Sequence, residues 1–222
     1  MLRPIPPAHD AGGLSPWQST REGLRYLRSR QALQGVYLID INAMVFGMPR
    51  ALFPAMAGAV FGGGTITLGF LYAAPGVGAL IGAVTTGWVA NFRRQGWAVI
   101  VAVSIWGAAI ALFGFSDTLW VALVLLAMAG WADVISAVLR NTILQSTIPE
   151  RFRSRMSSIQ MAVVQGGPRL GDMESGAVAT LTNIEFSVVS GGLACIVGAA
   201  VIGALLPVFR RHVAGEIDDM PV

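Results

Sequence analysis

The chain has 222 residues, the length of one ordinary domain, yet 55% of them are hydrophobic and only 12% charged, with a mean hydropathy of +0.66. Globular domains carry roughly 25% charge, so this composition excludes an intrinsically disordered chain, a nucleic-acid module and a secreted disulfide scaffold. The single cysteine, Cys195, has no internal partner, all 15 basic residues are arginine, and the balance is that of a chain living in a membrane.

A helix needs about 20 apolar residues to cross roughly 30 Å of hydrocarbon. Residues 1–34 are polar and proline-rich, then basic, and read as a cytoplasmic linker-like segment with a short amphipathic helix. They do not read as a signal peptide, because no apolar core or small-residue cleavage site follows the start. A first span is expected over 35–54, interrupted late by Pro49 and Arg50. A glycine-rich second span covers 66–90 and leads into the basic turn NFRRQG. The third runs 97–115, the fourth 119–140 with a possible extension to Ile148, the fifth 156–182 and the sixth 187–208. A cytoplasmic tail, 209–222, completes the division around a transmembrane domain at 35–208. The fold class expected is an all-α membrane protein of six transmembrane helices.

Charge placement is consistent with that count. Twelve arginines (3, 21, 25, 28, 30, 93, 94, 151, 153, 155, 210 and 211) fall on one side, and only Arg50 on the other. The positive-inside rule then puts both termini in the cytoplasm of a multi-pass chain with an even number of spans.

Charges inside hydrocarbon are expensive and usually face a bundle interior, a partner or water. Here they are Asp40, Asp133, Arg169, Asp172 and Glu174, with Arg140 toward the cytoplasmic interface. Asp133, Ser136, Arg140 and Asn141 are spaced i, i+3, i+7, i+8 and share a helix face; Gln165, Arg169 and Asp172 follow i, i+4, i+7 and share another. Pro168, after Gly166 and Gly167, is expected to kink or loosen its helix near mid-membrane. Together these residues suggest a polar pathway of proton-exchanging carboxylates, with Arg169 holding substrate. The competing reading is that each acid merely neutralises an arginine on a neighbouring helix. Gly58-x-x-x-Gly62 and Gly78-x-x-x-Gly82 are spacings that let helices approach closely. Met44, Met48 and Met56 could line a substrate surface or simply fill the core.

Enzyme signatures fail. His9 and His212 lie at the cytoplasmic ends, no H-E-x-x-H occurs, one cysteine makes no thiolate cluster, and Gly62-Gly63-Gly64 lacks the lysine of a phosphate-binding loop. The expectation is no enzyme, no cofactor, no metal and no nucleic-acid partner; the partners expected are the lipid bilayer and a small-molecule substrate.

Four stretches carry a family resemblance. EGLRYLRSR resembles the cytoplasmic segment joining the halves of a major facilitator superfamily transporter. LIDINAMVFGMPRALFPAMAG is similar to the seventh helix of such transporters, and GFLYAAPGVGALIGAVTTGWV with NFRRQG to the eighth and its basic turn. TILQSTIPERFRSRMSS and GGPRLGD resemble the end of the tenth helix, its loop and the eleventh. The likeness covers about residues 20–210 and points to the C-terminal half, in the enterobactin-exporter-like branch. Asn91 stands where the superfamily's gating motif usually has Asp, with Phe92 next, which leaves Arg93 and Arg94 to pair with helix ends or lipid phosphates.

The resemblance implies a half-bundle of two inverted three-helix repeats and secondary active, proton-coupled export of a siderophore or drug-like molecule across the bacterial plasma (inner) membrane, as an antiporter. Asp40 and Asp172 are then the proton-coupling candidates, with Arg169, Gln165 and Glu174 on the substrate pathway. Asp133, Ser136, Arg140, Asn141, Arg93 and Arg94 fall to the gating or polar face. A complete member has twelve helices, so three readings stand: a truncated, non-transporting fragment, a half that dimerises, or a half that pairs with a separately encoded partner. The linker-like first 34 residues favour the fragment.

Overall fold

The structure, a computed structural model, describes residues 16–213. Within them the regular elements are helices: α1 (Pro16–Arg28), α2 (Gln31–Phe46), α3 (Phe53–Ala59), α4 (Thr65–Thr85), α5 (Gln95–Gly114), α6 (Leu119–Thr147), α7 (Glu150–Leu181), α8 (Ile184–Leu205) and α9 (Pro207–Arg211). In lipid, only a helix satisfies every backbone group within its own segment, which is why such apolar runs take this form. Five segments, Gln31–Ala59 and α4, α5, α6 and α8, are long and apolar enough to cross a membrane. The expected 156–182 span lies inside α7, whose 32 residues include Arg169, Asp172 and Glu174 and make it the most polar of the long helices.

The first span is two helices rather than one. Gly47, Met48 and Pro49 separate α2 from a 3-10 turn, Arg50–Leu52, that starts α3. Pro49 has no N–H to donate and disfavours helix in the residue before it, so the ladder stops there.

The tightest packing runs α4 on α6, α6 on α5 and α5 on α8, with α2 laid against α7 and α8. Glycine makes the α4–α6 approach possible: a Cβ at Gly78 would overlap the Ala127 carbonyl, and one at Gly130 would overlap that of Pro75. Gly82 continues the seam against Val134. The expectation of close packing at Gly58 and Gly62 is not met. Both face open space, and Gly62 instead takes φ +59° just beyond α3, where a residue without Cβ turns cheaply.

Pro168 does not break α7, which stays helical through it. The proline removes one ladder bond only, and the flanking segment is held by contact, Gly167 against the Met44 side chain and Gly171 against the Met44 and Val45 backbone. Met44 packs against α7 here and also lines a cleft, Met48 lines another, and Met56 is core. Outward faces carry Phe70, Val77, Leu80 and Val84 of α4 and Leu193, Val197 and Leu205 of α8, all exposed, as lipid contact requires.

At the basic end α1 is tied to α7. Tyr26 stacks on Phe152 at 4.4 Å between ring centroids, and its hydroxyl donates to the Thr147 carbonyl at 3.1 Å. Arg155 pairs with Glu22 and lies over the same Phe152 ring. Phe152→Ala removes the stacking partner of Tyr26 and the surface under Arg155. It is expected to cost about 1–2 kcal/mol and to raise protease cleavage in α1, read by limited proteolysis in detergent. Glu22→Gln, at a half-exposed pair, should cost under ~1 kcal/mol.

Candidate functional site

The charges that sequence spacing places on separate helices meet across α2 and α6. Asp40 lies nine residues into α2 and Arg140 three-quarters along α6; both are buried, and Arg140 Nη1 stands 2.6 Å from Asp40 Oδ1. Neither of these two atoms has a partner with hydrogen-bond geometry among the described residues, so the contact is electrostatic rather than directional. Asp133, two turns earlier on α6, brings Oδ1 to 3.8 Å from Arg140 Nη2. One guanidinium therefore serves two carboxylates. The spacing i, i+7 explains the second contact: two helical turns put both side chains on one face.

A cleft of about 230 Å³ opens on this cluster between α2, α6 and α7, lined by Asp40, Asp133, Arg140, Asn141 and Gln160, with Tyr37 beside them. Gln160 donates to Asn141 at 3.3 Å, and Tyr37 donates its hydroxyl to the Met156 carbonyl at 3.1 Å. A second cleft sits at the break between α2 and α3. It is lined by Gly47, Met48, Pro49, Arg50 and again Asp133. Asp133 is thus common to both, and its side chain is 41% exposed where those of Asp40 and Arg140 are 7% and 8%.

The other candidates are distributed differently. Ser136 is buried on the same α6 face with its hydroxyl unpartnered among the described residues, and it does not line the cleft. Asp172 is half-buried and accepts from the Ala51 backbone N–H at 3.1 Å, which anchors the 3-10 turn at the α2–α3 break to α7. Arg169 and Gln165 are exposed, and Arg169 makes no ion pair among the described residues. The shared α7 face is real as helix geometry, but it converges on neither Asp40 nor Arg140. Glu174, half-buried on α7, stands apart from the cluster. Arg93 and Arg94 are exposed in the α4–α5 turn, at the opposite end of α5 from Ser116 and Asp117. Three described carboxylates do not gather at any one place that would hold a metal ion.

Sequence reasoning missed Tyr37 and Gln160. Tyr37 carried a signal, since it precedes Asp40 by three and so shares its face. Gln160 carried none, because its place depends on how α7 crosses α6.

Residues 16–217 match the family described as transmembrane secretion effector. Among curated proteins the chain is 31% identical over 193 residues to the enterobactin exporter EntS of Escherichia coli O1:K1 / APEC. It is 30% identical over 191 residues to the proteins of that name from E. coli O139:H28 and Shigella boydii serotype 18. Each alignment covers 86% of this chain and 45% of the relative, so the chain spans about half the length of the curated relatives it matches. The family match, the identity to these exporters and the all-helical, apolar architecture agree with one another. The chain belongs to the transmembrane secretion effector family of the major facilitator superfamily, and it is a multi-pass membrane protein.

Proposed function

We propose that the chain forms one six-helix half of a secondary active exporter that exchanges protons for a small molecule at the bacterial inner membrane, and that it performs no enzymatic chemistry. The observation that carries the reading is the Asp40–Arg140–Asp133 cluster, in which Asp40 and Arg140 are buried, all three line one cleft and Asp133 lines a second. Five or more charges within spans are costly unless they serve a pathway. Protonation of Asp40 removes one of the two anions that hold Arg140. The guanidinium is then free to take an acidic or hydrogen-bonding group of the substrate, with Asn141 and Gln160 as further donors in the cleft. The names of the relatives support a siderophore as the substrate class. In this reading α7 is the fifth of six crossings, with Arg169 and Gln165 facing the other wall of the cavity, and both termini are cytoplasmic. The other wall comes from a second six-helix half.

Efflux of a fluorescent amphipathic substrate tests this, in cells expressing the 222 residues alone and in cells where they follow the first six helices of an EntS relative. Uncoupler-sensitive efflux is expected in the fused form and its loss on Asp40→Asn. Coupled efflux that survives both Asp40→Asn and Asp172→Asn would sink the coupling roles. Well-inserted protein that never exports in either form would favour a non-transporting assembly partner.

A further inference from the structure

At the end of the bundle where α4 meets α5, away from the carboxylate cluster, the fold assembles something the transport reading does not use. Arg93 and Arg94 are exposed in the turn before α5. An isolated backbone bridge joins Arg94 to Val213, the last described residue, and so brings α9 beside the turn. The approach is close: Phe209 is fully buried, and a Cβ at Gly96 would overlap its carbonyl and lie 3.3 Å from the Arg210 Cα. Arg210 and Arg211, both exposed, are thereby delivered to the same end. None of the four arginines forms an ion pair among the described residues.

An open groove of about 120 Å³ runs from the α4–α5 turn between α5 and α6, walled by apolar side chains including Phe92, Trp97, Trp131, Ile135 and Leu139. Phe92 and Trp97, which line the groove, bracket Arg93 and Arg94 in the chain, so the turn that carries these two cations borders it. Trp131 is fixed there by donating to the Thr85 hydroxyl at 3.1 Å. Tryptophan with arginine is the pairing found where a chain meets the headgroup layer. A cluster of guanidinium groups binds a phosphodiester by paired, charge-assisted hydrogen bonds, and an apolar slot below it fits a hydrocarbon chain. An ordinary soluble anion would use the cations and leave the groove unfilled. A zwitterionic lipid would fill the groove without needing four cations.

We propose that the α4–α5 turn and α9 form a binding site for one anionic diacyl phospholipid, its phosphate on Arg93, Arg94 and the α9 arginines and an acyl chain in the α5–α6 groove. Basic pockets beside spanning helices select such headgroups over neutral ones.

The test uses the full chain in phosphatidylcholine nanodiscs carrying a minor fraction of lipid brominated on its acyl chains, read by quenching of tryptophan fluorescence. Brominated phosphatidylglycerol is expected to quench more than brominated phosphatidylcholine, by roughly twofold or more. The excess should vanish in R93Q/R94Q, whose side chains are exposed and support no packing. It should persist in R151Q/R153Q, which removes charge from another basic segment. It should also fall in W97F/W131F, because these are the two tryptophans that line the groove. Equal quenching by the two lipids overturns the proposal. So does an excess that survives R93Q/R94Q or falls equally in R151Q/R153Q, since that is bulk attraction to any cationic surface. Selectivity absent from the natural chain but appearing in E216Q/D218N/D219N also overturns it, by making the chain's own acidic tail the occupant.

Discussion

Asp40→Asn is expected to lower stability by about 3–5 kcal/mol and to abolish coupled export, with Arg140→Gln behaving alike. The physical reason is that each substitution leaves a charge in a buried place with its nearest counter-ion gone. Asp40 Oδ1 and Arg140 Nη1 are 2.6 Å apart and almost wholly enclosed. Asp133, at 3.8 Å, is the only other carboxylate paired with that guanidinium among the described residues. It softens the loss for Asp40→Asn and does nothing for Arg140→Gln, so the arginine variant should be the worse of the two. The double variant Asp40→Asn/Arg140→Gln removes both charges of the pair, with a smaller side chain left at 140. It should be more stable than the two single losses added together, because neither side chain is then a buried charge without its partner. Thermal unfolding in detergent reads the cycle. Export in a twelve-helix context supplies the second axis: a double variant that is stable and inactive separates the pair's chemical role from its packing role. Strictly additive single-site losses would mean that the two side chains do not act on each other.

The second large effect is steric. Gly78→Ala or Gly130→Ala would drive a methyl into a facing carbonyl, that of Ala127 or of Pro75, and neither is the movable end of a side chain. Helices α4 and α6 would have to separate along their closest stretch. The expected loss is about 1–3 kcal/mol for each, seen as a lower midpoint of thermal unfolding. Gly69→Ala and Gly76→Ala on the same helix meet open space and should be neutral or slightly stabilising, since alanine is the better helix former. Equal effects at Gly78 and Gly76 would mean that the α4–α6 approach is not set by the missing Cβ.

Those glycines also illustrate what a sequence can and cannot disclose. The spacing Gly58-x-x-x-Gly62 and the spacing Gly78-x-x-x-Gly82 are the same pattern, yet only the second packs a helix. The difference is context: Gly78 and Gly82 lie within a long apolar helix, whereas Gly62 lies past the end of a short one. Length and hydropathy made the long helices legible to within a few residues, because lipid leaves the backbone no alternative. The fifth expected span, 156–182, falls inside α7, whose polar residues keep it out of the group of helices apolar enough to cross by composition alone. At the site, spacing along α6 correctly joined Asp133 to Arg140, a relation internal to one helix. It grouped Asp40 with Asp172 by chemistry alone. Which residue faces which across helices depends on how α2 crosses α6 and α7, and no periodicity within a single helix encodes that. Pro168 misled for a related reason. A proline reports one missing donor, while whether the helix yields there depends on the neighbours that brace it.

The break between α2 and α3 divides the loyalties of one membrane segment. Below it α2 packs on α7 and α8; above it α3 packs on α4. The residues between are held from both sides, Ala51 by the Asp172 carboxylate and the Arg50 carbonyl by the Tyr72 hydroxyl. An unbroken helix would weld those two groups into a single rigid block. Here a change of tilt between them costs rotation about a handful of backbone bonds at Gly47–Leu52, and the hydrogen-bonded ladders on either side stay whole. The segment therefore works as a flexure set into the wall of the bundle. Because the Asp133 carboxylate lines the cleft at that flexure as well as the one at Arg140, bending there changes the shape of the space around the charge without moving the charge from its partner.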